Sequence, residues 1–253
     1  MDSSATRALF LALFILVIIA TASVTSLMVS SGGGVSKSKV EEIVYNYLKN
    51  NPSAIVEAFN SAQAEQQARE VAQASKKIAE RIDDLENDPT SPFVGNPKGD
   101  VVIVEFFDYN CGYCKRALPT LATLIAEDKN LKVVFKDFPI LSEQSHTLSK
   151  AALAVFNMSP DKFWDFHKTL MKQTPRTDEQ LFAKAAEMGI DAGALKAEMA
   201  KPEYQEKIQA NLSLGSDIGI RGTPGFIIGG EFVPGAIGID AFRQKIQDAR
   251  DRG

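Results

Sequence analysis

VVIVEFFDYNCGYC, residues 101–114, is the stretch on which the fold turns. Val101 to Phe107 is an apolar run of strand length, interrupted only by Glu105. The chain's only two cysteines, Cys111 and Cys114, follow it at the opening of a helix that the pattern extends from Gly112 to about Glu127. A thiol at a helix start faces free backbone N–H groups and the positive end of the macrodipole, and both favour thiolate over thiol. Cys111 is therefore expected below the free value of about 8.5 and is the candidate nucleophile. Cys114, three residues on and on the same helix face, is the candidate resolving thiol, able to attack a mixed disulfide formed at Cys111.

Two other uses of the pair fit less well. A zinc site needs two further ligands, and His146 and His167 are far from each other and outside any finger spacing. An inert disulfide across so short a loop adds little entropic stabilisation and is geometrically demanding. With 253 residues, 45% apolar content and a formal charge of −4, the chain has material for a packed domain and an accessory segment, and no basic footprint for nucleic acid. Gly-rich phosphate loops and metal-ligand clusters are absent from the sequence, so no cofactor is expected.

Ala8 to Val29 carries no charge and follows a head containing Arg7. As a helix its roughly 22 residues would rise about 33 Å against a hydrocarbon core of about 30 Å, long enough for a retained membrane anchor. Ala20-Thr21-Ala22 equally suits signal cleavage near Ala22. Either outcome exports the rest of the chain to a compartment where disulfides form, so residues 1–29 read as a signal peptide or anchor and the protein as periplasmic. Residues 30–37, with Gly32-Gly33-Gly34, read as a flexible linker.

Residues 38–89 read as helical. Val40, Ile43, Val44, Tyr47 and Leu48 recur at helical spacing, Asn50-Asn51-Pro52 breaks the pattern, and a helix without Gly or Pro follows from Ser53 to about Glu86. On it Ile55, Phe59 and Ala62, and then Ala68, Val71, Ser75, Ile78, Ile82 and Leu85, form a narrow apolar seam. Self-association through residues 38–88 is the expected use, and packing against the chain's own domain is the competing one. Breaker clusters at 88–92 and 95–99 place the domain boundary near residue 90. Beyond it come strands at 101–107 and 131–136, helices from about 142 to 217, a hairpin of Phe226–Ile228 and Glu231–Val233 about Gly229-Gly230, and a closing helix from Ile239 to Arg250. A strand, helix, strand opening implies a parallel pair with a right-handed crossover, to which the hairpin adds antiparallel strands. Trp164, Phe163, Phe166 and His167 read as a core face of one helix. Phe226 and Ile227 divide between core and an apolar lip, and Asp108, just outside the dithiol motif, reads as a surface turn residue, with tuning of the thiolate as the alternative.

The strand entering Cys111-Gly-Tyr-Cys114, the later Gly222-Thr223-Pro224 before a strand, and the helical insertion at about 142–217 together resemble the DsbA-like group of thioredoxin-fold proteins over about residues 90–253. The N-terminal helices extend the likeness to ScsC-type and Com1-like exported thiol oxidoreductases. The resemblance implies an α/β thioredoxin fold with a helical insertion, preceded by a helical segment. It also implies a cis bond at Thr223-Pro224 beside the dithiol, where the Thr223 backbone pairs with a substrate strand. Glu105 matches the family's buried acid beneath the active site and Lys136 its basic partner; the alternative for these two is a structural ion pair facing solvent. Gly112-Tyr113 lacks the Pro-His of the strongly oxidising DsbA and, with Thr before the proline, resembles the isomerase DsbC, which predicts a less oxidising dithiol.

The resulting expectation is an exported thiol-disulfide oxidoreductase acting on unfolded or misdisulfided envelope proteins, with isomerisation or reduction ahead of net oxidation. Its membrane redox partner would be DsbB-like or DsbD-like. A non-catalytic holdase and copper handling by the dithiol are the alternatives from other classes.

Overall fold

The computed structural model describes residues 35–252. The expected signal or anchor at residues 8–29 and most of the 30–37 linker lie outside them. Among the described residues no helix is long and apolar enough to cross a membrane. The chain divides into two compact units that part between Ala68 and Arg69.

In the first unit, α1 (Lys37–Asn50) starts at Ser36, whose hydroxyl accepts from the Lys39 N–H, and stops at Asn51. Pro52 opens α2 (Pro52–Glu80), where its missing N–H costs nothing. α1 has no buried residue, and Ile43, Val44, Tyr47, Leu48, Ile55 and Phe59 are exposed.

The second unit is built on a five-stranded sheet in the order β1-β3-β2-β4-β5. Its strands are β1 (Phe93–Gly95), β2 (Val101–Phe107), β3 (Leu131–Asp137), β4 (Gly225–Ile228) and β5 (Glu231–Pro234). β2 and β3 are parallel, joined by α4 (Gly112–Glu127), while the other pairings are antiparallel. The hairpin turn has positive φ at both Gly229 and Gly230, which side-chain-bearing residues adopt only with strain. The insertion comprises α5 (Glu143–Met158), α6 (Pro160–Lys172), α7 (Asp178–Glu187), α8 (Ala192–Met199) and α9 (Pro202–Asp217), and α10 (Ile239–Arg252) closes the chain.

Because β2 and β3 are covered on both faces, they read as nearly continuous apolar runs. Ile103, Phe107, Val133 and Phe135 join α4, the insertion helices and α10 in the larger core. Val104, Phe106, Val134 and Ile227 form the second core on the opposite face with Leu214, Ile218, Ile78 and Leu85. Phe163, Phe166 and His167 are fully buried, as expected of a core face. Phe226 and Ile227 are both wholly buried, on opposite faces of β4, so neither forms a lip.

Two expectations for the helical segment are corrected. The expected unbroken helix to Glu86 stops at Arg81, whose N–H is shared between the Lys77 and Ile78 carbonyls, and a short α3 (Ile82–Glu86) follows. The boundary lies near residue 68 rather than 90, since Ile78 and Leu85 are completely buried in the second core. Ile78, Ile82 and Leu85 of the apolar seam are thus used by the chain's own sheet and are not free for self-association, whereas Val71 upstream of them is exposed. Lys77 and Arg81 add ion pairs to Asp217 at the end of α9.

Candidate active site

The C-terminal end of β2 delivers the dithiol. After Phe107 the chain turns, with the Cys111 N–H donating to the Asp108 carbonyl at 3.0 Å, and Cys111 becomes the N-cap of α4. Neither cysteine is in a disulfide. Cys111 keeps 6% of its surface and Cys114 1%, so the first sulfur is the accessible one.

From the other side comes the segment before β4, where the Thr223-Pro224 bond is cis, as the resemblance implied. The Cys111 Sγ donates to the Thr223 carbonyl oxygen at 3.2 Å. The Pro224 carbonyl is held by the Gly235 N–H at 2.9 Å, tying this segment to the end of β5.

The two sulfurs are electrostatically opposite. The Cys114 thiol, the Thr223 hydroxyl and the N–H groups of Cys114 and Tyr113 all donate toward a Cys111 thiolate. Against the cost of partial burial they bring its pKa down to about 5. Cys114 is pushed far up by burial, by its bond to Cys111 and by the charge of Glu105. At neutral pH Cys111 is the thiolate and Cys114 the thiol, which is the division of labour that exchange requires.

Glu105 lies on the same face of β2 as Phe107 and is almost fully buried. Burial, and secondarily the Cys111 charge, raise its pKa to about 8, so it is largely protonated at neutral pH. When Cys111 enters a mixed disulfide that charge disappears and the carboxyl becomes more acidic.

Lys136 does not serve Glu105. In the parallel register Glu105 sits opposite Phe135 and Phe106 opposite Lys136, so the two side chains leave opposite faces of the sheet. The Lys136 ammonium, fully buried, donates instead to the Asp84 carbonyl at 2.6 Å, the Ser91 hydroxyl at 2.7 Å and the Asp88 carboxylate at 3.1 Å. Lys207 also pairs with Asp88. The expected solvent-facing ion pair of Glu105 with Lys136 is corrected as well, because Lys136 is wholly buried and pairs with Asp88, pinning residues 84–91 to the sheet.

Asp108 is also corrected. It is wholly buried, and its carboxylate accepts four hydrogen bonds from the Asn110, Ile140 and Leu141 N–H groups and the Ser145 hydroxyl. Asp-Tyr-Asn has the composition of an Asx turn, a signal for the Asn110 bond alone; the other three donors lie more than thirty residues away. Tyr109, which no sequence pattern singled out, is buried with its hydroxyl 2.9 Å from Nδ1 of His167. Around the mouth, Tyr113 is 60% exposed with the Arg116 guanidinium stacked 4.0 Å from its ring centre, and Ile140 and Leu141 are exposed. No group of three or more His, Cys, Asp or Glu side chains suited to a metal ion occurs among the described residues.

The chain is 36% identical to a thioredoxin-like oxidoreductase from Silicibacter pomeroyi DSS-3, whose crystal structure superposes with a TM-score of 0.63 over 67% of this chain and 97% of that one. Proteus mirabilis ScsC in a transitional conformation is 29% identical, with a TM-score of 0.65 over 86% of this chain and 98% of its own. Disulfide bond formation protein D of Bacillus subtilis (strain 168) is 23% identical over 168 residues, 62% of this chain and 75% of that protein. The chain also matches Na(+)/H(+) antiporters NhaA of two Salinispora species, but spans only 28% and 25% of their length. The DSBA-like thioredoxin domain family matches residues 102–247, more than half of the sequence and the whole of the dithiol, cis-proline and insertion architecture. The chain belongs to the DSBA-like thioredoxin domain family.

Proposed function

We propose that this protein is an exported thiol-disulfide oxidoreductase of envelope proteins, working as an isomerase or reductase ahead of net oxidation. The observation that carries the reading is the unequal pair of sulfurs beside the Thr223 carbonyl: an acidic Cys111 that keeps a small exposed surface and a more deeply buried, proton-holding Cys114.

The Cys111 thiolate attacks one sulfur of a substrate disulfide, forming the mixed disulfide and releasing the other sulfur as a substrate thiolate. Two outcomes follow. If the released thiolate or another substrate thiolate attacks the substrate sulfur of the mixed disulfide, Cys111 leaves as thiolate and the substrate has been rearranged with no net redox change. If Cys114 passes its proton to Glu105 and attacks the Cys111 sulfur, the substrate leaves as a dithiol and the protein as the Cys111–Cys114 disulfide. Net oxidation is this sequence reversed.

Three features favour shuffling over strong oxidation. Gly112-Tyr113 places no cation between the cysteines. The Cys111 value of about 5 falls between the roughly 3.5 of DsbA and 7 of thioredoxin. The exposed apolar residues of α1 and the start of α2 suit a homo-oligomer, narrowed from residues 38–88 to the part before residue 69, which would gather several dithiols around one substrate. A DsbB-like or DsbD-like membrane protein would set the redox state, and residues 8–29 would provide export to the periplasm.

Refolding of a scrambled-disulfide substrate by the full chain tests the direction. Recovery of native disulfides without added oxidant supports isomerisation. Failure to unscramble, together with rapid oxidation of a reduced substrate, would replace this reading with that of a net oxidase.

A further inference from the structure

Asp108 touches both halves of the dithiol through its backbone, and through its side chain the neighbouring Asn110 and three residues of the distant segment 140–145. Its carbonyl accepts the Cys111 N–H at 3.0 Å, and its own N–H faces the Cys114 sulfur. Its Oδ1 accepts from the Asn110 N–H at 2.7 Å and the Ser145 hydroxyl at 2.7 Å. Its Oδ2 accepts from the N–H groups of Ile140 at 2.9 Å and Leu141 at 3.0 Å. Asn110 in turn donates from its amide to the hydroxyls of Ser142 and Ser145, at the start of α5. A wholly buried carboxylate with four donors is held in one orientation, because any rotation leaves a desolvated oxygen unpaired.

We propose that Asp108 is a positioning residue of the dithiol: its carboxylate clamps the active-site turn to the segment 140–145, fixing the two backbone groups that hold Cys111 and Cys114. This rests on the thiol-exchange reading above. The clamp acts through Asn110 in particular, the residue next to Cys111. An asparagine at 108 can turn its one oxygen toward the Ile140 and Leu141 N–H groups. Its amide nitrogen then faces Ser145, which can accept, and the Asn110 N–H, which cannot. Asp108→Asn therefore releases the turn selectively while leaving the other segment held. With the turn loosened, the N–H groups directed at the Cys111 sulfur lose their alignment, and the thiolate loses part of its stabilisation. Cys114 and Glu105 are the titratable groups coupled to Cys111, and Asp137 is the carboxyl that senses Asp108.

The test follows the pH dependence of iodoacetamide alkylation at Cys111 in the reduced full chain, together with the dithiol–disulfide equilibrium in glutathione buffers. In Asp108→Asn the alkylation midpoint should rise by about one pH unit and the equilibrium shift about tenfold toward the disulfide, since a less stable thiolate makes the disulfide less oxidising. Ser145→Ala, which removes one of the four donors, should move both readings in the same direction by about threefold. A residue serving only the fold would lower the melting temperature and leave both readings unchanged, and that result in folded Asp108→Asn overturns the proposal. If Asp108→Asn does not fold, an unshifted Ser145→Ala overturns it. A wild-type Cys111 that titrates as an ordinary thiol instead removes the exchange reading and this inference with it.

Discussion

The Cys111 sulfur and the Thr223 carbonyl oxygen lie 3.2 Å apart, although 112 residues separate them in sequence. The contact exists because β4 pairs antiparallel with β2, and the segment that enters β4 is thereby laid over the start of α4. An extended substrate strand running along Thr223 would present its disulfide directly to the thiolate, so that on the proposed function recognition and attack would share one edge.

Thr223 also acts through its hydroxyl, which stabilises the Cys111 thiolate. Thr223→Val keeps the shape and removes the donor. A hydrogen bond to a charged group contributes roughly 1.5–3 kcal/mol, so the alkylation midpoint of Cys111 should rise from about 5 by about one pH unit or more. Alkylation rates measured across pH 3–9 check this.

Glu105 has its pKa raised in the folded protein, to about 8 from an ordinary 4.5. Between those values the unfolded chain has released a proton that the folded chain retains, so this residue destabilises the fold increasingly as pH rises from 4.5 to 8, and the penalty then levels off. Glu105→Gln should therefore gain stability relative to wild type across that window, read from denaturant midpoints. With no group left to take the Cys114 proton, closure of the mixed disulfide by Cys114 should slow about a hundredfold, measured by rapid quench.

Lys136→Met should leave the pH profile of Cys111 unchanged, because Lys136 lies on the far face of the sheet from Glu105. It should instead cost about 1–3 kcal/mol of stability, since the Asp84 carbonyl and Ser91 hydroxyl lose their donor while Asp88 keeps only Lys207 as its cation. Thermal unfolding and alkylation of the same preparation separate the two effects.

Leu85→Ala should cost about 2–5 kcal/mol, as expected of a leucine wholly buried in a core. If residues 69–90 were only an oligomerisation arm, the substitution would change oligomer size and leave the melting temperature of the dithiol domain intact. Calorimetry with parallel light scattering distinguishes these outcomes.

What could be read from sequence divides by the range of the interaction. Strand 101–107, the helix after Cys111 and the glycine hairpin are local patterns, and each stands where periodicity and turn chemistry placed it. The role of Lys136 depended on register: a one-residue step on β3 reverses the face, and nothing local distinguishes the two. Asp108 read as a turn residue because three of its four donors are contributed by residues 140–145. The apolar seam around Ile78 and Leu85 has the same spacing whether its partner is a second copy or the chain's own sheet. The three-residue β1, set among prolines and glycines, carried too little pattern to be seen.

Covalent trapping tests the central claim most directly. The Cys114→Ser and Cys111→Ser variants are each incubated with a scrambled-disulfide substrate and separated without reductant. Cys114→Ser should accumulate a mixed disulfide through Cys111, lacking the thiol that resolves it, and Cys111→Ser should accumulate none. Trapping by Cys111→Ser instead, or disulfide exchange at the wild-type rate in both variants, would contradict the assignment of Cys111 as nucleophile.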